Sequence, residues 1–134
     1  MAVLIDTAPL IALERGGAAA RLDASVGEEE RGISVITASE LLHGVHRADA
    51  HHALGRRAFV EHILAVMDPI PISATVARVH AELWAAVEAA GTPIGAHDLW
   101  IAATALAHGL GVVTSNVRDF ARIPSLRVVA FDPG

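Results

Sequence analysis

The sequence has no cysteine and no lysine, and its ten basic residues are all arginine. The missing thiols exclude disulfides, cysteine nucleophiles and thiolate-bound metals. The missing lysine excludes a P-loop, which needs a Gly-Lys pair beneath its phosphates. Long hydrophobic runs are also lacking. The longest, Leu99 to Val113, is broken by His108 and two glycines, and it is shorter than the roughly 20 residues of a membrane span. The opening MAVLID has no basic stretch and reads as a strand, not a secretory leader. A soluble, cytoplasmic protein without membrane contact is expected. No repeat, low-complexity tract or linker divides the chain, so residues 1–134 are expected to form a single domain. Positive charge is in deficit, with a net charge of −5. A broad basic face for nucleic acid is therefore not expected, and any such contact rests on locally grouped arginines.

What is present is apolar and alternating. Hydrophobic residues make up 53% of the chain, enough for a sizeable core. AVLI (2–5) reads as a buried strand. A helix follows, with Pro9 in its first turn and Gly16-Gly17 as its stop. GISVI (32–36) reads as a second buried strand, and Thr37 opens the next helix. Residues 52–66 read as a helix, and DPIPI (68–72) as a short strand edged by prolines. Val76, Val79, Leu83 and Val87 recur at helical spacing until Gly91. AHDLWIAATALAHG is apolar nearly all round, which predicts a central helix. GVVT and RVVAF read as further strands. Strands alternating with helices predict an α/β fold around a mainly parallel sheet.

In such sheets ligands bind beyond the carboxyl ends of the strands. Four acids fall at that edge. Asp6 ends the first strand. Glu40 lies in the first turn of the helix after the second strand. Asp98 opens the helix that leads into GVVT, and Asp119 follows GVVT by a few residues. If the helix ending at Gly91 starts at the same edge, residues 91–95 must carry the chain back across the sheet. Five extended residues reach roughly 17 Å.

Singly, each acid has a structural explanation. Thr37-x-x-Glu40 matches a capping box, worth about 1 kcal/mol. Asp6 suits the cap of the first helix. Asp98 suits a helix dipole, worth about 0.3–1 kcal/mol. Asp119 suits a solvated loop. Convergence changes the balance, because two carboxylates about 4 Å apart repel by roughly 4 kcal/mol at an effective dielectric of about 20. Such a cluster persists only when protons or cations neutralise it. A ligand set of carboxylates without cysteine points to Mg2+ or Mn2+.

The stretches VLIDTAPLIALERG, ISVITASELLHGVHRA and GTPIGAHDLWIAATALAHGLGVVTSNVRDF together resemble a PIN domain of the VapC toxin type. The resemblance covers most of the chain in order and spacing. It implies a three-layer α/β/α sandwich with a central sheet of four or five strands. It also implies a metal-dependent ribonuclease. Asp6, Glu40 and Asp98 match the family's three main acids. Asn116 stands where many relatives have Asp, and Asp119, before Phe120, matches the fourth acid of a variant pattern. Asp6 and Asp98 are expected to bind the ion directly, and Glu40 and Asp119 directly or through water. Thr7, Thr114 and Asn116 are expected to support them. The resemblance further implies a VapB-type antitoxin partner, an RNA substrate, and a homodimer or toxin–antitoxin hetero-oligomer. Arg47, Arg56, Arg57, Arg118 and Arg122 are candidates for holding RNA phosphates.

Other residues point elsewhere more weakly. Glu40-x-x-His43 is half of a di-iron helix motif, and no second Glu-x-x-His exists. His43 and His46 have zinc-like spacing but read as helix-surface residues. His97, beside Asp98, reads as structural in preference to a phosphate donor. Trp84 and Trp100 read as core or dimer-interface residues. An Asp ending the first strand also begins haloacid-dehalogenase-type phosphatases and response-regulator receivers. Both use a lysine to hold the phosphoryl group, and the phosphatases want a second Asp where this chain has Ala8. The remaining alternative is a non-catalytic module that binds protein or RNA, its acids serving as helix caps.

Overall fold

A computed structural model describes residues 2–132. Along the chain run β1 (Ala2–Ile5), α1 (Thr7–Arg15), α2 (Ala19–Val26), β2 (Glu30–Gly32), α3 (Val35–Arg47) and α4 (Ala53–Val66). They are followed by α5 (Ala74–Ala90), α6 (Ala96–Ala107), β3 (Gly111–Thr114), α7 (Val117–Phe120) and β4 (Val128–Ala130). The four strands form one sheet in the order β2-β1-β3-β4, and every pairing is parallel. Leu4 sits between Gly32 and Val112 in register.

Side chains alternate across the sheet, and each face has its own core. Val3, Ile5 and Val113 point into a cluster with Leu10, Leu22, Leu41, Val60 and Phe131. Leu4 and Val112 point the other way, toward Val76, Leu83, Leu99, Ile101 and Phe120. Helices α1 to α4 therefore cover one face and α5 to α7 the other, giving the expected three layers. Continuous burial explains why β1 and β3 read as unbroken apolar runs. In α6, Leu99 and every residue from Ile101 to Ala105 are buried, as its nearly uniform apolarity predicts.

Three local expectations are corrected. GISVI is not a strand, because β2 ends at Gly32 and Val35 and Ile36 already belong to α3. Ser34 decides this. It is extended (φ −84°, ψ 159°), and its Oγ accepts from the Thr37 amide. Ser34, not Thr37, is thus the N-cap, and the Thr37-x-x-Glu40 box does not form. The β preference of Val-Ile yields to this cap and to packing of the helix on the sheet. DPIPI contributes only an isolated parallel bridge, Ser34 to Ile70. Pro69 and Pro71 have no amide hydrogen with which to extend it.

The third correction concerns the path into α6. Gly91 closes α5 in the left-handed conformation (φ 72°, ψ 11°). The Pro93 carbonyl accepts from Arg122, just past α7. The end of α5 is therefore already at the carboxyl edge of the sheet. Residues 91–95 only turn the chain and cross nothing.

Candidate active site at the carboxyl edge of the sheet

Asp6 follows the last residue of β1 and caps α1, accepting from the Thr7 amide through Oδ1 at 2.8 Å. Its Oδ2 accepts from Thr114 Oγ1, at the end of β3, at 2.7 Å. The carboxylate is buried, with 7% exposure. Burial pushes its pKa up, against the pull of those two hydrogen bonds, and Glu40 adds a further upward push. Thr7 reaches the other way as well, with Oγ1 donating to Glu40 Oε1 at 2.8 Å. Thr7, the first residue of α1, thereby links its N-cap Asp6 to Glu40 of α3.

Asp98 lies in the first turn of α6, whose N-cap is Gly95. Its Oδ2 accepts from Asn116 Nδ2 at 2.9 Å. Its pKa is raised, first by burial and then by repulsion from Asp6, with smaller contributions from Glu40 and Asp119. Asp98 thus senses the other three acids. Asp119 differs from the rest. The same Asn116 amide donates to its Oδ2 at 3.1 Å, and Arg122 Nη2 donates to its Oδ1. These contacts hold its pKa below the ordinary value.

Basic groups stop at the rim. Arg122 pairs with Asp119, and His97 Nδ1 lies 3.5 Å from Glu40 Oε2. Among the described residues, no basic side chain pairs with Asp6 or Asp98. Asp6 is buried and Asp98 half-buried, the two repel each other, and among the described residues neither has a basic partner. That is a donor set suited to a hard divalent cation. Among the described residues, no three carboxylate or imidazole groups are drawn together as a ready-made cage. An ion of the Mg2+ type needs only one or two carboxylates and keeps several waters.

The predicted supporting residues fall into place, and the arginines divide. Thr7, Thr114 and Asn116 all contact the acids. Arg56 is paired with Glu14 at 3.1 Å, and Arg122 is engaged by Asp119 and Pro93. Arg47, Arg57 and Arg118 are exposed. Glu14 and Arg15 went unnoticed in the sequence. With Gly44 and Arg56 they line a groove of about 90 Å³ that reaches Glu40. Their position at the end of α1, just over two turns beyond Asp6, is the available signal. A larger hollow of about 500 Å³ lies against His80, Trp84 and Trp100, and none of the four acids lines it. There Trp100 stacks on His80 with ring centres 3.4 Å apart, and Trp84 is half exposed. His43 and His46 are on the surface.

Comparison with known proteins bears directly on this edge. A PIN domain family model matches residues 3–126. The chain is 35% identical over 130 residues to Ribonuclease VapC1 of Rickettsia felis, covering 96% of each. It is 34% identical over 127 residues to Ribonuclease VapC4 of Mycobacterium tuberculosis, covering 94% of each. In three dimensions it is similar to a chain in the crystal structure of VapBC2 from Rickettsia felis bound to a DNA fragment from their promoter. The TM-score is 0.86 at 26% identity, with 98% of this chain and 100% of that chain covered. With the parallel sheet, the gathered acids and these likenesses in agreement, the chain belongs to the PIN domain family, among its VapC-type members.

Proposed function

We propose that this protein is the endoribonuclease toxin of a type II toxin–antitoxin pair, hydrolysing RNA phosphodiester bonds with a Mg2+ or Mn2+ ion. One observation carries the reading. Asp6, buried, and Asp98, half-buried, come from distant parts of the sequence, repel each other, hold raised pKa values and have no basic partner among the described residues. The curated relatives named ribonucleases support the class of reaction.

Asp6 and Asp98 would hold the ion directly, and Glu40 through water. When bound, the ion supplies an attacking water of lowered pKa and positive charge for the scissile phosphate. The protein's own groups prepare the rest. Thr7 and Thr114 fix both oxygens of Asp6, so its carboxylate cannot rotate. Thr7 also holds Glu40 Oε1. Glu40 Oε2, 3.5 Å from His97 Nδ1, would orient the attacking water and accept its proton. Without a cation, the acidic edge repels the RNA backbone. With one, Arg47, Arg57 and Arg118 can hold flanking phosphates.

A VapB-type antitoxin is the proposed protein partner, in a hetero-oligomer or with a toxin homodimer. Similar solved structures are VapBC complexes, which supports this assignment. A non-catalytic module would use the acids only as caps. Asp6 does cap α1, but Asp98 makes no capping hydrogen bond.

The decisive experiment incubates RNA with wild type and Asp98→Asn, in Mg2+ or Mn2+ and in EDTA. Cleavage should require both the cation and Asp98. Equal cleavage in EDTA overturns the proposal. Sequencing RNA ends after brief expression of the two proteins identifies the substrate.

A further inference from the structure

We propose that Asn116, Asp119 and Arg122 form a clamp that positions Asp98, in which Asp119 serves as a hydrogen-bond acceptor and not as a cation ligand. The inference rests on the cation-dependent reading above and deepens it.

The clamp is continuous. Asn116 Nδ2 donates to Asp98 Oδ2 at 2.9 Å and to Asp119 Oδ2 at 3.1 Å. The amide has two hydrogens, so each acid takes one. Arg122 Nη2 donates to Asp119 Oδ1 and to the Pro93 carbonyl, the latter at 3.0 Å. Unlike Asp6 and Asp98, Asp119 is paired with a guanidinium that already balances its charge. Pro93 lies two residues before Gly95, the N-cap of α6. Arg122 therefore ties α7 to the turn that launches α6, while Asn116 holds the Asp98 carboxylate itself. Backbone and side chain of Asp98 are fixed together. An amide at position 116 is essential to this, since a carboxylate there would repel both neighbours.

A ligand role and a positioning role for Asp119 predict different responses, and Mn2+ titration calorimetry on the full chain reads them. Asp119→Asn loses the charge and keeps one acceptor oxygen, which can still receive the Asn116 bond, while the rim guanidinium of Arg122 retains the Pro93 carbonyl. This variant should bind Mn2+ within about fivefold of wild type, the scale of one exposed charge. Asp119→Ala breaks the clamp and should weaken binding about tenfold, as losing an orienting partner does. Arg122→Ala gives a difference in sign. If Asp119 were a ligand, removing the nearby positive charge would tighten Mn2+ binding. The clamp predicts weaker binding, again by about tenfold. Melting temperatures in EDTA establish that each variant is folded.

If Asp119→Asn binds as poorly as Asp119→Ala, the clamp is wrong. If Arg122→Ala binds more tightly than wild type, it is also wrong. A wild-type protein that takes up no Mn2+ overturns the cation-dependent reading itself, and the clamp with it.

Discussion

Thr114 Oγ1 donates a hydrogen bond of 2.7 Å to Asp6 Oδ2, joining the end of β3 to the end of β1. The same hydroxyl oxygen accepts from the Asn116 amide at 2.9 Å, and the Thr114 carbonyl accepts from the Phe131 amide. One buried threonine thus orients the innermost acid, starts the turn toward Asn116 and anchors the exit of β4.

Thr114→Val keeps the shape and β preference of this residue but removes its hydroxyl. Buried Asp6 loses a donor, and the half-buried backbone N–H of Asn116 loses its acceptor. Leaving such groups unpaired costs about 1–3 kcal/mol. The urea midpoint should fall accordingly, with the slope of the transition unchanged. An unaltered midpoint would mean that water replaces the hydroxyl and that the threonine is dispensable.

Asp98→Asn should stabilise the cation-free protein at neutral pH. It removes a half-buried charge that repels Asp6, while its side-chain oxygen still accepts from Asn116. A gain of about 1 kcal/mol corresponds to roughly 4 °C in melting temperature for a chain of this size. Saturating Mn2+ should raise the melting temperature of wild type and leave that of the variant nearly unchanged. A variant that melts below wild type without cation contradicts the strained acidic edge.

The same advantage should depend on pH. Asp98 has a folded pKa above its unfolded value, so the folded state holds this proton more tightly. The penalty for its charge is fully present above the raised pKa. It is relieved as pH falls through that value toward the ordinary 3.8. The stability difference between Asp98→Asn and wild type should be largest near pH 7 and vanish below the ordinary value. Thermal melts across that range, in EDTA, measure it. A difference that is flat with pH rejects the assignment.

Protons and cation should also compete. Because Asp6 and Asp98 are both raised, Mn2+ affinity should begin to fall at a pH above the usual aspartate range. Calorimetry in matched buffers reads this fall. Affinity that holds steady down to pH 4 would place the cation on other groups.

Ser34→Ala tests the corrected start of α3. Loss of the hydroxyl that accepts from the Thr37 amide should cost about 1 kcal/mol. Since α3 carries Glu40, Mn2+-dependent cleavage should weaken along with the urea midpoint. If the midpoint is unchanged, Ser34 does not hold the helix.

The alternating apolar runs of AVLI and GVVT, with amphipathic segments between them, were enough to predict a parallel sheet covered on both faces. Parallel strands buried on both sides have little freedom in composition, so their pattern survives in the sequence. Asp6, Glu40 and Asp98 were legible for a related reason, since the order of strands and helices alone delivers them to the carboxyl edge. The start of α3 was not legible. Val35 and Ile36 favour a strand locally, and only the capping bond from Ser34 and packing on the sheet turn them into a helix. The path of residues 91–95 was hidden too, because the direction of α5 is set by its packing against α6. Least legible was the division of labour among polar groups. Nothing in the order of residues says that one amide bridges Asp98 and Asp119, or that Arg122 grips Asp119 and Pro93. Sequence carries the local preferences and the burial pattern. Which donor meets which acceptor is decided by tertiary packing, because hydrogen bonds require distances and angles that only the assembled chain defines.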